Sequence, residues 1–166
     1  HPLAGLTSLT SLDLSLNNVL DLSPLVALKN LSRLSLSINP IADLSPLAGL
    51  TNLTHLDIVN IRSSDLSPMS DLHQLISLDF TNNGVRDLSP LAGLNLAYLR
   101  FRKNEVRDIS SLANHRQLLI LEFSDNQVAD LSPLADLTQL STLRFSANLV
   151  RDISALAKLI RLGDLA

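Results

Sequence analysis

The chain has 166 residues, 46% of them hydrophobic, and a formal net charge of −3 at pH 7. This charge argues against a general binder of nucleic acids or anionic membranes. The absence of cysteine excludes disulfides and thiolate metal sites, and no apolar run approaches the roughly 18 residues of a membrane span.

The dominant pattern is a short motif that returns about every 22 residues. The sequence Asp-Leu-Ser-Pro-Leu begins at Asp21 and recurs, with small changes, after steps of 22, 22, 22, 21, 22 and 22 residues. A fixed period in this range indicates a solenoid, in which each unit buries its apolar face against its neighbours. The later copies begin at Asp43, Asp65, Asp87, Asp108, Asp130 and Asp152.

Both ends of the chain fall within the repeat. Residues 2–6 match residues 46–50, and Leu162 and Leu165 open a further unit. We therefore predict a single domain over residues 1–166, with about seven 22-residue repeats, a partial repeat at each end and no capping domain. Such a piece of a longer array exposes apolar ends, so we expect its terminal units to fray or to associate end to end.

Within one unit the apolar spacing changes from two to three. Leu12 and Leu14 predict a short strand with one buried face. The Ser-Pro-Leu segment at Ser23 predicts a short helix or 3₁₀ turn, with serine as the N-cap that accepts a backbone N–H and proline at the first helical position. Since helical segments need more room than strands, we predict an α/β solenoid: a curved, right-handed stack with a parallel β-sheet on its concave face.

Two polar residue types recur at fixed positions. An asparagine follows most strands, where its donor and acceptor can satisfy turn backbone groups that would otherwise be buried without partners. We predict that the recurring aspartates stabilise the start of the next helical turn. A file of carboxylates also suggests cation binding, but calcium requires several oxygens that converge on one point. The asparagines are Asn17, Asn39, Asn83, Asn104, Asn126 and Asn148.

The last units carry phenylalanine at an inward strand position that holds Leu14, Leu36 and Ile58 earlier in the chain. Aromatic side chains at one-strand spacing predict a stacked spine in the core rather than a ligand site. The phenylalanines are Phe80, Phe101, Phe123 and Phe145.

Two units depart from the consensus. The third has Ile61 at the asparagine position and Ser63 at an apolar position, which predicts a differently built turn. The fifth is one residue short after Leu94 and has His115 where other units have leucine. The deletion is expected to tighten the return to the next strand, and we interpret it as drift that the scaffold tolerates.

The candidate binding residues lie at outward strand positions, which form columns along the sheet. In the column from Ser15 to Ser146, Arg102 is the only charged residue; Tyr98 and Lys103 lie beside it and Ile120 lies one strand away. Tyrosine and arginine dominate interface energetics. This pattern predicts a partner-binding centre, with a solvated basic edge as the alternative.

The neighbouring column carries Arg100, Glu122 and Arg144 at successive strands. Alternating charges at this spacing can pair across the sheet, although exposed pairs contribute only about 0–1 kcal/mol. The two arginines are therefore predicted either to pair with Glu122 or to support partner binding.

A second candidate patch near the amino end consists of Leu16, Ile38 and Val59. Outward aliphatic residues in adjacent units are typical of a binding surface. The alternatives are that preceding units cover them or that they fold into the turns.

The sequence offers little catalytic chemistry. The four histidines occupy different repeat positions and lack metal-ligand spacing. His55, Asp57 and Ser77 share one sheet face, but nothing in the sequence indicates an oxyanion hole around them. We therefore predict no enzymatic activity, no cofactor and no metal site.

The repeat resembles leucine-rich repeats of the 22-residue class, as in bacterial internalins and the regulatory subunit of protein phosphatase 1. Residues 126–138, which read Asn-x-Val-x-Asp-Leu-Ser-Pro-Leu-Ala-x-Leu-Thr, are most similar to internalins. The resemblance implies recognition of a protein or peptide by the concave face, and a bacterial surface or secreted protein. An intracellular regulatory module attached to a phosphatase, kinase or GTPase, a cytoplasmic location and a structural spacer stay open.

Overall fold

The computed structural model describes residues 3 and 5–166, so His1, Pro2 and Ala4, part of the predicted first partial repeat, lie outside the described residues. Within these residues, eight short parallel strands form one open sheet in which each strand pairs with its neighbours in sequence. The strands are β1 (Ser11–Asp13), β2 (Arg33–Ser35), β3 (His55–Asp57), β4 (Ser77–Asp79), β5 (Tyr98–Arg100), β6 (Ile120–Glu122), β7 (Thr142–Arg144) and β8 (Asp164–Leu165).

Equivalent residues of successive units stand side by side in this sheet. Leu34 pairs with Leu56, and Leu56 pairs with Leu78, so one central leucine per strand forms a continuous buried row from β2 to β7. Backbone hydrogen bonds continue the ladder past the short strands, for example from Leu16 N–H to Ser37 O (2.9 Å). The predicted solenoid with a parallel sheet is confirmed.

A 3₁₀ turn follows each of the first seven strands. None of the helical segments in the described residues has the length and apolar character needed to span a bilayer. The turns are Ser23–Leu25, Ser45–Leu47, Ser67–Met69, Ser89–Leu91, Ser110–Leu112, Ser132–Leu134 and Ser154–Lys158.

The residue that caps these turns is the aspartate, not the serine. Asp21 Oδ1 accepts the Ser23 N–H and Oδ2 accepts the Ser23 hydroxyl, both at 2.8 Å. The serine side chain is therefore a donor, and the prediction that it is the accepting N-cap is wrong. The prediction that the carboxylate stabilises the start of the turn is confirmed. The Ser23 N–H and hydroxyl lower the pKa of the Asp21 carboxyl.

The asparagine side chains satisfy turn backbone groups, as predicted, and the structure shows that they also join neighbouring units. Asn39 Nδ2 donates to Leu36 O (2.9 Å) in its own unit and to Leu14 O (2.8 Å) in the preceding one. Its Oδ1 accepts the Val19 N–H (2.9 Å), also from the preceding unit. One side chain thus satisfies three backbone groups and fixes two units relative to each other.

The turn of the third unit is built differently, as Ile61 and Ser63 predict. Both residues are buried, and the Ile61 N–H donates to Asn83 Oδ1 (2.8 Å) of the next unit. In regular units the asparagine oxygen instead accepts from the valine position, as when the Val106 N–H donates to Asn126 Oδ1. The fourth unit therefore supplies an acceptor to a turn that lacks its own asparagine.

The aromatic spine is confirmed. Successive ring centroids from Phe80 to Phe101, Phe123 and Phe145 are 5.4, 5.5 and 5.9 Å apart, with nearly parallel planes. The first three rings are fully buried, whereas Phe145 is only partly buried.

The short fifth unit keeps the register of the sheet. The missing residue is absorbed between Leu94 and Leu96, which are both buried, and β5 still pairs with β4 through Ser77 and Tyr98. His115 occupies a leucine position in the core and is 1% exposed. Neither of its ring nitrogens forms a hydrogen bond.

Candidate binding face of the sheet

Strand alternation divides the side chains of β5 between the core and an open face. Leu99 and Phe101 are fully buried, whereas Tyr98, Arg100 and Arg102 lie on the opposite side. The same alternation in the other strands produces three parallel columns, which we call the open face. They contain Tyr98, Arg100 and Arg102, respectively, together with the residues at the same positions of the other strands.

The Tyr98 column brings an aromatic and an aliphatic residue together. Tyr98 pairs with Ile120 on the adjacent strand, and both are half-buried. A tyrosine with an apolar neighbour offers a partner both a rigid surface and a hydroxyl group. The predicted proximity of these two residues is confirmed.

Arg102 is exposed two residues beyond the end of β5. Its backbone belongs to the ladder, because Arg102 O accepts the Asn82 N–H at 2.9 Å. Its guanidinium forms no ion pair within the described part of the chain. The neighbours in its column, Thr81 and Ser124, carry no charge. Arg102 thus presents a cation that the fold does not neutralise.

Lys103 lies at the edge of the open face, in the turn that follows Arg102. Its backbone has φ +53°, in the left-handed region, and its N–H donates to Ser124 O (3.0 Å). The equivalent residues Asn82 and Asp125 belong to types that tolerate this conformation, whereas lysine does so less readily. The same turn follows the strand in each unit, and in this unit it exposes the ammonium group of Lys103.

Arg100 and Arg144 converge on a shared carboxylate. Glu122 Oε1 lies 3.5 Å from Arg100 Nε and 3.6 Å from Arg144 Nη1. Arg144 also pairs with Asp164 on β8, and both acids raise the pKa of its guanidinium. The predicted pairing across strands is confirmed, so these two arginines are more constrained than Arg102.

The open face also carries a pair of acidic residues. The pair is visible in the sequence columns, but no role was predicted for it. Asp57 on β3 pairs in register with Asp79 on β4. Partial desolvation raises the pKa of Asp57, and the Asp79 carboxylate raises it further. The signal in the sequence was the repetition of a carboxylate at one column position in adjacent units.

The second candidate patch is exposed. Leu16 and Ile38 are 73% and 45% exposed, while Val59 is half-buried. Leu16 and Ile38 have φ of +59° and +57°, which is unusual for a bulky residue and for a β-branched one. They lie in the turns after the strands, whereas Val59 lies on the open face. A binding role for this patch stays a prediction.

The residues nearest to a catalytic triad are arranged differently from one. His55 Nδ1 lies 2.9 Å from Thr54 Oγ1, so the adjacent threonine orients the ring. A catalytic triad instead requires the carboxylate to hold the imidazole. Among residues 3 and 5–166, no group of three or more potential metal ligands converges.

A model of leucine-rich repeats in two copies matches residues 29–72 and 116–158, just over half of the chain. A comparison with curated proteins gave no match.

Several solved structures share the fold. The internalin inlF from Listeria monocytogenes is 37% identical, with a TM-score of 0.95 over 99% of this chain and 49% of that one. The internalin C2 (inlC2) of the same organism is 35% identical, with a TM-score of 0.95 over 99% of this chain and 73% of that one. The chain thus spans about half the length of inlF.

A more distant structure shows the fold alone. The plant peptide hormone receptor RGFR1, in complex with RGF2, is 18% identical, with a TM-score of 0.83 over 98% of this chain and 28% of that one.

Proposed function

Because this chain belongs to the internalin-like leucine-rich repeat proteins, we propose that its open face recognises a protein or peptide partner around Tyr98, Arg102 and Lys103. Arg100, Ile120 and Arg144 support this centre. The observation that carries the proposal is the exposed Arg102, which has no ion-pair partner in the described residues and lies just beyond the end of β5, on the same face as Tyr98.

The physical basis of this proposal is the combination of a backbone that the sheet holds in place and side chains that are free to contact a partner. The hydrogen-bonded ladder that includes β5 and continues past it holds the backbone of Tyr98 and Arg102 in place, so little backbone order is lost when a partner binds. Tyrosine and arginine are the residue types that most often dominate binding energy. Glu122 constrains Arg100 and Arg144, which reduces the entropy lost when they contact a partner.

The wider context of the proposal follows from the relatives. Similarity to internalins favours a bacterial protein that acts at the cell surface or after secretion. The proposed role is binding without catalysis, which agrees with the threonine-bound His55. The partner class is a protein rather than a nucleic acid or a membrane, since the net charge is −3.

The test is a pull-down from host and bacterial lysates with the parent chain and a Tyr98→Ala/Arg102→Ala/Lys103→Ala variant. Alanine is compatible with position 103, because Ala147 occupies the equivalent turn position with φ +54°. We expect the parent to retain a protein that the variant loses, while the melting temperature changes by only a few degrees.

The matched control is Arg116→Ala/Arg151→Ala, which removes two exposed cations outside the three columns of the open face. This control is expected to retain the same protein as the parent. Retention by the triple variant would refute the assigned centre but not the binding class. If no variant and no parent sample retains a protein, the structural-spacer alternative is favoured.

A further inference from the structure

The open face of β3 and β4 carries negative charge that the fold leaves uncompensated. The Asp57 carboxylate neither accepts a hydrogen bond nor forms an ion pair within residues 3 and 5–166. The Asp79 carboxylate, next to it in register, accepts only the Thr81 N–H (2.9 Å) among the same residues. Two carboxylates one strand apart repel each other, and partial burial adds to the cost of ionising Asp57.

The nearest cation in the same column forms no ion pair with these acids, and it lowers the pKa of Asp57 by less than burial and Asp79 raise it. Arg100 stands beside Asp79 in register, but its guanidinium pairs with Glu122 on the other side. Glu122 is shared in turn with Arg144, which also pairs with Asp164. The charges of this column from β5 to β7, together with Asp164 of the Tyr98 column, therefore form a nearly closed network, and the acidic pair lies outside it.

Arg102 supplies the opposite charge close by. It is exposed and unpaired among the described residues, and it lies one strand beyond Asp79 and one column over. Strands are about 4.8 Å apart and alternate residues about 6.6 Å apart, so the centre of the acidic pair is roughly 10 Å from Arg102. An extended polypeptide in the polyproline II conformation rises about 3.1 Å per residue with three residues per turn, so residues three positions apart cover this distance and point to the same side.

We propose that the open face of β3–β5 binds an extended polypeptide segment that places a lysine or arginine over Asp57 and Asp79 and an acidic residue over Arg102, about three positions away. This inference rests on the proposed function and specifies the chemistry of its partner.

Other ligand classes fit this charge arrangement less well. A nucleic acid or an anionic lipid headgroup would be attracted by Arg102 but repelled by Asp57 and Asp79. A cation alone would leave Arg102 unused, and no group of three or more metal ligands converges in the part of the chain that the structure describes. A polypeptide carries both charges at a spacing that its own geometry sets.

The experiment is a selection from a displayed library of short random peptides at low ionic strength. The targets are the parent chain, an Asp57→Asn/Asp79→Asn variant and an Arg102→Gln variant. Peptides selected by the parent are expected to pair a basic and an acidic residue three positions apart. Peptides selected on the Asp57→Asn/Asp79→Asn variant are expected to keep the preference for the acidic residue and to lose the preference for the basic one. Peptides selected on the Arg102→Gln variant are expected to keep the preference for the basic residue and to lose the preference for the acidic one.

Affinities of synthetic peptides then test each charge pair separately. Replacing the basic residue of a selected peptide with glutamine is expected to weaken binding to the parent by about three- to fivefold and to leave binding to the Asp57→Asn/Asp79→Asn variant unchanged. The matched control is Asp13→Asn, which removes a carboxylate from the same column at β1 and should behave as the parent.

Failure of this inference can be distinguished from failure of the proposed function. Parent-selected peptides without the paired charges, but sensitive to Tyr98→Ala, would overturn the charge assignment and leave partner binding by the face in place. A library that yields no binder, together with a lysate protein lost by the Tyr98→Ala/Arg102→Ala/Lys103→Ala variant, would exclude an extended segment but not protein recognition. No binder in either experiment would refute both.

Discussion

At the scale of a single residue, His115 makes the stability of this repeat array depend on pH. Burial lowers the pKa of His115 below 6.5, and the backbone of Leu112 and Leu91 offsets only part of this shift. As the pH falls below 6.5 the unfolded chain binds a proton that the folded chain resists. Stability is therefore lost on acidification, by at most about 1.4 kcal/mol per pH unit.

The measurement is urea denaturation of the parent and a His115→Leu variant at several pH values between 7.5 and 5.5. Leucine fits the repeat at this position, so we expect the variant to lose less stability over this range. Exposed His73 provides the control, because His73→Gln should leave the pH profile of the parent unchanged. Equal profiles for the parent and His115→Leu would contradict the assignment.

The sequence predicted the role of a residue where repeat spacing determines that role. It missed the role where the side-chain rotamer determines which group the residue contacts. Counting by two along the strands correctly placed Arg102 on the open face. The same counting predicted that Arg100 can pair with Glu122, but it did not reveal that this pairing leaves Asp79 without an ion-pair partner. The direction of the Asp21–Ser23 hydrogen bonds was missed for a related reason, since a serine hydroxyl can accept a backbone N–H of the turn or donate to the Asp21 carboxylate, and repeat spacing does not distinguish the two.

At the scale of the repeat unit, the asparagine ladder is the main polar connection between neighbours. Asn126 is buried; its Nδ2 donates to Phe101 O (3.0 Å) and Phe123 O (2.9 Å), and its Oδ1 accepts the Val106 N–H (3.0 Å). Asn126→Ala would leave these buried backbone groups without partners. We expect a loss of about 2–3 kcal/mol in the free energy of unfolding, measured by urea denaturation.

A position at the edge of the array gives the internal comparison. Asn17 is exposed and donates only to Leu14 O and Ser15 O of its own unit. Asn17→Ala is therefore expected to cost less than about 1 kcal/mol, because water can replace its bonds. Similar losses at positions 17 and 126 would show that the ladder does not couple the units.

The elements themselves were largely predictable because each repeats several times. Seven copies of one pattern established the strand, the asparagine turn and the 3₁₀ turn. The third unit showed the limit of this approach. Its sequence indicated a different turn, but not that Asn83 of the following unit would bind the Ile61 N–H. That contact depends on the distance between two units, and a repeat pattern carries no information about this distance.

At the scale of the whole molecule, each unit is stabilised by two neighbours, except at the ends. Phe101 and Phe123 lie in central units and are fully buried, whereas Leu14 and Phe145 lie nearer the ends and are only partly buried. The amides of all four donate to the adjacent unit at 2.7–2.9 Å, for example Phe101 N–H to Glu122 O. Differences in their protection therefore report unit stability rather than hydrogen-bond length.

We expect the amides of Phe101 and Phe123 to exchange with solvent at least about tenfold more slowly than those of Leu14 and Phe145, because a solenoid opens from its ends. Hydrogen exchange followed by NMR at low protein concentration measures this difference. The predicted end-to-end association adds a second expectation, since raising the concentration should then protect Leu14 and Phe145 selectively. Uniform exchange at all four positions would instead show that the array opens as one cooperative body, and would contradict fraying of the terminal units.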